Sequence, residues 1–191
     1  LKVSASSLMK VSLGTKPRLS IKDIENYISA EGFSVKGKAS ELFRSSKIPF
    51  GWNYQTNSYD LNSEKEKEAH GQHVSGTVAG NKVAIGNKLW RGVAPEAQLL
   101  MMNVMSKGST SGWVYSRAMT DAIAMDADAV NMSLGGRKAI GESTEGKVRE
   151  IVDNGYAKDT NFIIAAGNEG EYQGNLNICL LYTSLMARGR R

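Results

Sequence analysis

Leu99-Leu100-Met101-Met102-Asn103-Val104 is the stretch from which the fold is read, because five of its six side chains are apolar and none of the in-out alternation of a half-wet strand is present. Short continuous runs of this kind belong to strands covered on both faces. Two more follow, Ala129-Val130-Asn131-Met132-Ser133 and Phe162-Ile163-Ile164-Ala165-Ala166. Between the first and second runs Val114, Ala118, Ala122 and Met125 recur at helical spacing, and between the second and third Val148, Ile151 and Val152 do the same. Strand, helix, strand, helix, strand predicts an α/β fold: a partial doubly wound parallel sheet with flanking helices, joined by right-handed crossovers. In such sheets sites form at the carboxyl ends of the strands, here around Ser133-Leu134-Gly135-Gly136 and Gly167-Asn168-Glu169-Gly170.

Upstream the pattern is weaker. Ser20-Ile21-Lys22-Asp23 has the form of a capping box, and Ile24, Tyr27 and Ile28 follow at helical spacing before Gly32 as a stop. Residues 37–46 are polar and irregular. Ile48-Pro49-Phe50-Gly51-Trp52-Asn53-Tyr54 reads as an extended segment broken by Pro and Gly, and residues 55–68 form a polar, charge-rich loop.

At 191 residues, 41% hydrophobic and 23% charged, the chain has the composition of a globular protein with a sizeable core. No apolar run approaches the roughly 20 residues of a membrane span, so no transmembrane segment is expected in this chain. It begins Leu1-Lys2-Val3, with neither an initiator methionine nor a signal-peptide core, and is expected to start inside a longer protein or after a cleavage. Of the net charge of +5, three units come from Arg188, Arg190 and Arg191 at the end of the chain. The other basic residues are interleaved with acids and form no face carrying aromatic stackers, which argues against nucleic acid as a partner. Cys179 is the only cysteine, so neither an internal disulfide nor a Cys-rich zinc site is available.

Both histidines lie in His70-Gly71-Gln72-His73-Val74-Ser75-Gly76-Thr77-Val78-Ala79-Gly80. Small residues dominate this run, so a helix built from it has slim sides that neighbours can approach closely. A histidine at its N-terminal end would be held rigidly, as a general base requires. Two other readings stand beside that one: satisfied structural histidines, or zinc ligands. Zinc is poorly supported, because the spacing is i, i+3 rather than His-Glu-x-x-His and no Cys or further His completes a site.

Three further segments decide between them: Gly92-Val93-Ala94-Pro95-Glu96-Ala97, Val130-Asn131-Met132-Ser133-Leu134-Gly135-Gly136 and Ala165-Ala166-Gly167-Asn168-Glu169-Gly170. With the histidine run, and in this order and spacing, they resemble the subtilisin-like serine peptidases, the subtilases. The resemblance covers roughly residues 48–170. It is strongest to the large bacterial cell-envelope proteinases, through residues 48–54 and the long segment before the histidine. It implies a serine endopeptidase acting on protein or peptide substrates, secreted or attached to the cell envelope. Residue by residue, His70 matches the catalytic general base and His73 a structural position of the motif. Asn168 matches the asparagine whose amide donates to the oxyanion, a neutral donor on a Gly-flanked turn. Ser133, Leu134 and Gly135 match the strand edge that pairs with substrate backbone and lines the first specificity pocket, and Ala165, Ala166 and Gly167 match another wall of it. Gly108-Ser109-Thr110 falls near the opposite substrate strand, with Thr110 in place of a more usual glycine.

Two departures stand out. No Asp-Ser-Gly or Asp-Thr-Gly follows an apolar strand before His70, and no Gly-Thr-Ser-hydrophobic-Ala follows Asn168. The catalytic aspartate and serine are therefore expected outside both ends, and Asp60, in a polar loop, does not replace the former. The chain alone is expected to be inactive, and a pseudoenzyme or peptide-binding module on the same fold is the alternative. A nucleotide-binding protein is disfavoured, because no phosphate-binding Gly pattern follows Gly136. The loop after the histidine helix carries Lys82, Lys88 and Arg91 but no carboxylate, so a calcium ion is not supported there, and no cofactor is assigned. The organisation read from these features is a family-variable segment over 1–47, a partial catalytic domain over 48–178 and a non-native tail over 179–191. The tail holds the only cysteine and the three unbalanced arginines. One codon choice for its first six residues also resembles a sequencing-adapter end.

Overall fold

The structure is a computed structural model, and it describes residues 5–10, 18–61, 70–106, 108–134 and 142–165. Residues 179–191, expected to be a non-native tail, and the expected site residues Gly135, Ala166, Gly167 and Asn168 lie outside the described residues.

All three anticipated strands are present. Gln98–Asn103 is β5, Ala129–Met132 is β6 and Asn161–Ile164 is β7, while Phe50–Asn53, inside the broken extended segment, is β2. The helices between them are α4, Gly112–Ala124, and α5, Glu142–Tyr156. Parallel pairing joins β2 to β5 and β6 to β7, as the α/β reading requires.

The middle of the sheet differs from an all-parallel arrangement. Ala5–Lys10 forms β1 and runs antiparallel between β5 and β6, giving the order β2-β5-β1-β6-β7. No apolar run announces this strand, since Ser6, Ser7 and Lys10 interrupt it. Backbone pairing on both sides fixes its position, and hydrogen bonding of that kind leaves little trace in a sequence.

Side chains of β5 alternate between two cores. Leu100 and Met102 join Val130, Met132, Phe162 and the inner faces of α4 and α5, which include Met119, Ala122, Val148 and Val152. Leu99 and Met101 join Leu61, Ala79 and Ala97 on the opposite face. Both faces are thus covered, which is why the run reads as continuously apolar. Each buried Leu or Met of this kind contributes about 1.5–3 kcal/mol.

Upstream, Ile21–Ser29 forms α1. The Asp23 carboxylate accepts the Ser20 backbone N–H at 2.7 Å and the Ser20 hydroxyl at 2.6 Å, and these bonds, the hydroxyl first, lower its pKa. Gly32, at φ +83°, takes the left-handed turn after the helix. A four-residue helix, α2 (Ala39–Leu42), sits within the segment that reads as irregular and buries Ala39 and Leu42 in the larger core. Among the described residues no helix is long and apolar enough to cross a membrane.

Candidate active site

His70 is the first residue of α3, His70–Ala79. Gly71, Ser75 and Ala79, spaced by four, are the buried residues of this helix. The Ser75 hydroxyl donates to the Gly71 carbonyl at 2.7 Å and lies 3.7 Å from the Met101 sulfur, which seats the slim face of α3 on β5. The other end of α3 is closed by residues 92–94. Gly92, Val93 and Ala94 donate their N–H groups to the carbonyls of Gly80, Thr77 and Val78 at 2.8, 3.0 and 2.8 Å. These carbonyls at the end of α3 thereby gain partners from the following chain. The approach needs glycine: a Cβ at Gly92 would stand 2.7 Å from the Ala79 nitrogen, and one at Gly80 would stand 2.6 Å from the Gly76 carbonyl oxygen.

Because residues 92–97 lead straight from the end of α3 into the start of β5, that end of the helix lies at the amino end of the strand. Ser75 touches Met101 in mid-strand, so the amino end of α3, which begins with His70, lies toward the carboxyl end of β5, where Asn103 is. His70 is exposed there, as is His73.

The carboxyl edge is continuous across the sheet. Asn53 is in register with Asn103, Ala5 of β1 pairs with Asn103, Ser6 pairs with Met132, and Met132 pairs with Ile164. Ser133 and Leu134 leave β6 at this edge, and Ala165 leaves β7 beside them, its N–H donating to the Met132 carbonyl at 3.1 Å. Ser133 and Leu134 are half-buried and Ala165 is exposed, while the Asn131 amide donates to the Ser133 hydroxyl at 3.0 Å. The structure therefore sets Ser133 beside the β7 exit, with both at the carboxyl edge of the sheet.

Two buried asparagines that sequence reading passes over hold the loops at this edge. Asn53 accepts from the N–H groups of Gln55 and Thr56 at 3.0 and 3.1 Å and donates to the Asp60 carbonyl at 3.0 Å. Asn103 accepts from the Met105 N–H at 3.0 Å and donates to the Leu61 carbonyl at 3.2 Å. An asparagine ending an extended apolar run is the signal that finds both. Next in the chain, Ser106 and Ser109 form a bridge around Gly108, at φ +73°.

Behind the edge lies a buried polar knot. Asp121 of α4 accepts from the Tyr54 hydroxyl and the Ser34 N–H, both at 2.8 Å, and Arg117 lies 5.7 Å from the centre of the Tyr54 ring. Burial, opposed by these bonds, raises the Asp121 carboxyl above its usual range, and burial followed by the Asp121 charge raises the Tyr54 hydroxyl. The knot ties α4 to the loops on either side of β2. Among the described residues no group of three or more His, Cys, Asp or Glu could hold a metal ion.

This combination defines an α/β protein with an exposed histidine at the amino end of a helix packed on its sheet. Residues 22–184 match the model of the subtilase family, and the chain belongs to that family. It is 35% identical over 145 residues to the PII-type proteinase of Lacticaseibacillus paracasei, covering 73% of this chain and 8% of that protein. The same figures hold for the PI-type proteinase of Lactococcus lactis subsp. cremoris. The C5a peptidase of Streptococcus pyogenes is 29% identical over 131 residues, 66% of this chain and 11% of its own length. The chain thus spans about 8% of the length of the proteinases it matches.

Proposed function

We propose that this chain is part of a serine endopeptidase that hydrolyses peptide bonds in proteins, secreted or attached to the cell envelope. The observation that carries the reading is the position of His70, the first residue of a helix seated on β5 by small residues, in a chain whose Ser133, Leu134 and Ala165 emerge at the carboxyl edge of the same sheet. A substrate strand would lie along Ser133, Leu134 and Gly135 by backbone pairing, with Ala165, Ala166 and Gly167 as the facing wall. His70 removes the proton of a serine hydroxyl as its oxygen attacks the substrate carbonyl carbon. The Asn168 amide donates to the oxyanion so formed. His70 then passes the proton to the leaving amine, and water releases the acyl group by the same steps. The serine and the aspartate that orients His70 come from segments of the parent protein outside this chain.

Two measurements test the reading. The chain alone, incubated with casein and an active-site phosphonate, should neither turn over substrate nor become labelled, because a histidine without its partners retains little of a unit whose members act together. In the parent protein, His70→Ala should abolish most activity without unfolding, and Asn168→Ala should lower kcat about 10²–10³-fold with little change in KM, a magnitude taken over from a subtilisin. A parent without activity that still binds extended peptides would instead establish the peptide-binding module, favoured by the missing Asp-Ser/Thr-Gly and Gly-Thr-Ser motifs.

A further inference from the structure

Five large apolar side chains that face water gather in one short stretch. Val83 is 50% exposed, Ile85 62%, Leu89 59%, Trp90 55% and Val93 86%. The first four belong to a hairpin of two three-residue strands, β3 (Val83–Ile85) and β4 (Lys88–Trp90), that pair only with each other. A concentrated apolar patch of this kind marks an interaction site. Register puts Val83 opposite Trp90 and Ile85 opposite Lys88 on one face, and Ala84 opposite Leu89 on the other. Both faces are exposed.

Charge and shape select the occupant. Lys82, Lys88 and Arg91 are exposed, and residues 81–93 contain no acid, so the charge of this surface favours an anionic partner. A second copy would bring the same three cations against these and carries +5 itself. Apolar side chains stand on both faces of the hairpin, so an occupant that surrounds it buries more of them than one lying against a single face. Three residues per strand reach about 10 Å, comparable to the ~5–10 Å depth at which apolar groups settle in a membrane interface. Tryptophan is enriched at that level, and lysine and arginine extend from it to anionic headgroups. We propose that the β3–β4 hairpin is an interfacial anchor that docks this protein on an anionic lipid bilayer.

The 191-residue chain is sedimented with vesicles of phosphatidylcholine, with and without phosphatidylglycerol. Binding should require phosphatidylglycerol and weaken with added salt. The double variant Leu89→Ser/Trp90→Ser should weaken binding by about tenfold or more, as expected when two large side chains no longer bury. Lys82→Glu/Lys88→Glu should weaken it as well, and circular dichroism should show that every variant folds. Absence of binding, or equal binding by the serine variant, would overturn the anchor. So would loss of binding on removing only Cys179 to Arg191, which would locate it in the terminal arginines. Equal capture by soluble polyglutamate, unaffected by Leu89→Ser/Trp90→Ser, would overturn it in favour of an acidic protein partner. Self-association abolished by the serine variant without vesicle binding would assign the patch to a second copy.

Discussion

Strands β4 and β5 lie eight residues apart along the chain, and both are apolar, yet they meet opposite environments. Leu99, Leu100, Met101 and Met102 are at most 4% exposed, whereas Leu89 and Trp90 are more than half exposed. Composition does not separate them. What separates them is the number of neighbours: β5 pairs with β1 and β2 and has a core on each face, while β4 pairs only with β3. Burial is decided by how many surfaces a segment can reach at once.

The largest effect should come from removing volume where β5 meets α4. Met102→Ala empties space around a fully buried side chain and should cost about 3 kcal/mol in urea unfolding, the range for Met-to-Ala changes in packed cores. A loss under about 1 kcal/mol would mean that this side of β5 is loosely packed and that the contrast with β4 is smaller than it looks. Next comes the junction between the two strands. Gly92→Ala forces a methyl against the backbone of Ala79 and Gly80 and should cost about 2 kcal/mol as overpacking. It should also disturb the seating of α3, read as changed exchange of the Val93 and Ala94 amides that cap it. Unchanged exchange would sink the role given to this glycine.

Much of the fold was legible because burial on both faces leaves a run of apolar residues. That held for β5, whereas β6 and β7, though marked by the same kind of run, alternate buried with more exposed side chains, Ile163 being 52% exposed; helical spacing likewise marked α4 and α5. The short strand β1 was hidden because backbone pairing sets its position. The short helix α2 was hidden because two buried residues are too few to establish a period. The hairpin β3–β4 was hidden because its apolar residues are exposed and fall in a stretch otherwise read for its charges. Of the expected site residues, Ser133, Leu134 and Ala165 could be placed at the carboxyl edge of the sheet from the ends of the apolar runs. Asn53 and Asn103 escaped because their work is to hold loops, and Asp121 escaped because its partners, Ser34 and Tyr54, are distant in sequence.

The polar knot extends the comparison to pH. Burial raises the Asp121 carboxyl, so the native state binds its proton more tightly than the unfolded chain does. The stability linked to that proton is fully present below the ordinary value of 3.8 and is lost as pH rises through the raised value. Asp121→Asn should flatten this part of the stability profile as pH rises above the ordinary carboxylate value of 3.8, measured by urea unfolding. An unaltered profile would mean that water reaches the carboxyl.

The smallest effect is expected at the hairpin, and there the comparison is most exposed to refutation. Leu89 has the same side chain as Leu99 and Leu100 but is 59% exposed, so removing it from solution contacts should remove little stability. Leu89→Ser should change the unfolding free energy by less than about 0.5 kcal/mol, the range for surface positions away from structural features. Since an isolated two-stranded hairpin is marginal in water, the change should not propagate to the sheet even if β3 and β4 separate locally. Amide exchange across residues 83–90 reports on that local opening, and urea unfolding reports on the whole. A global loss above about 1 kcal/mol would show that Leu89 is packed in solution, and the distinction between a strand stabilised from all sides and one awaiting a partner would fail.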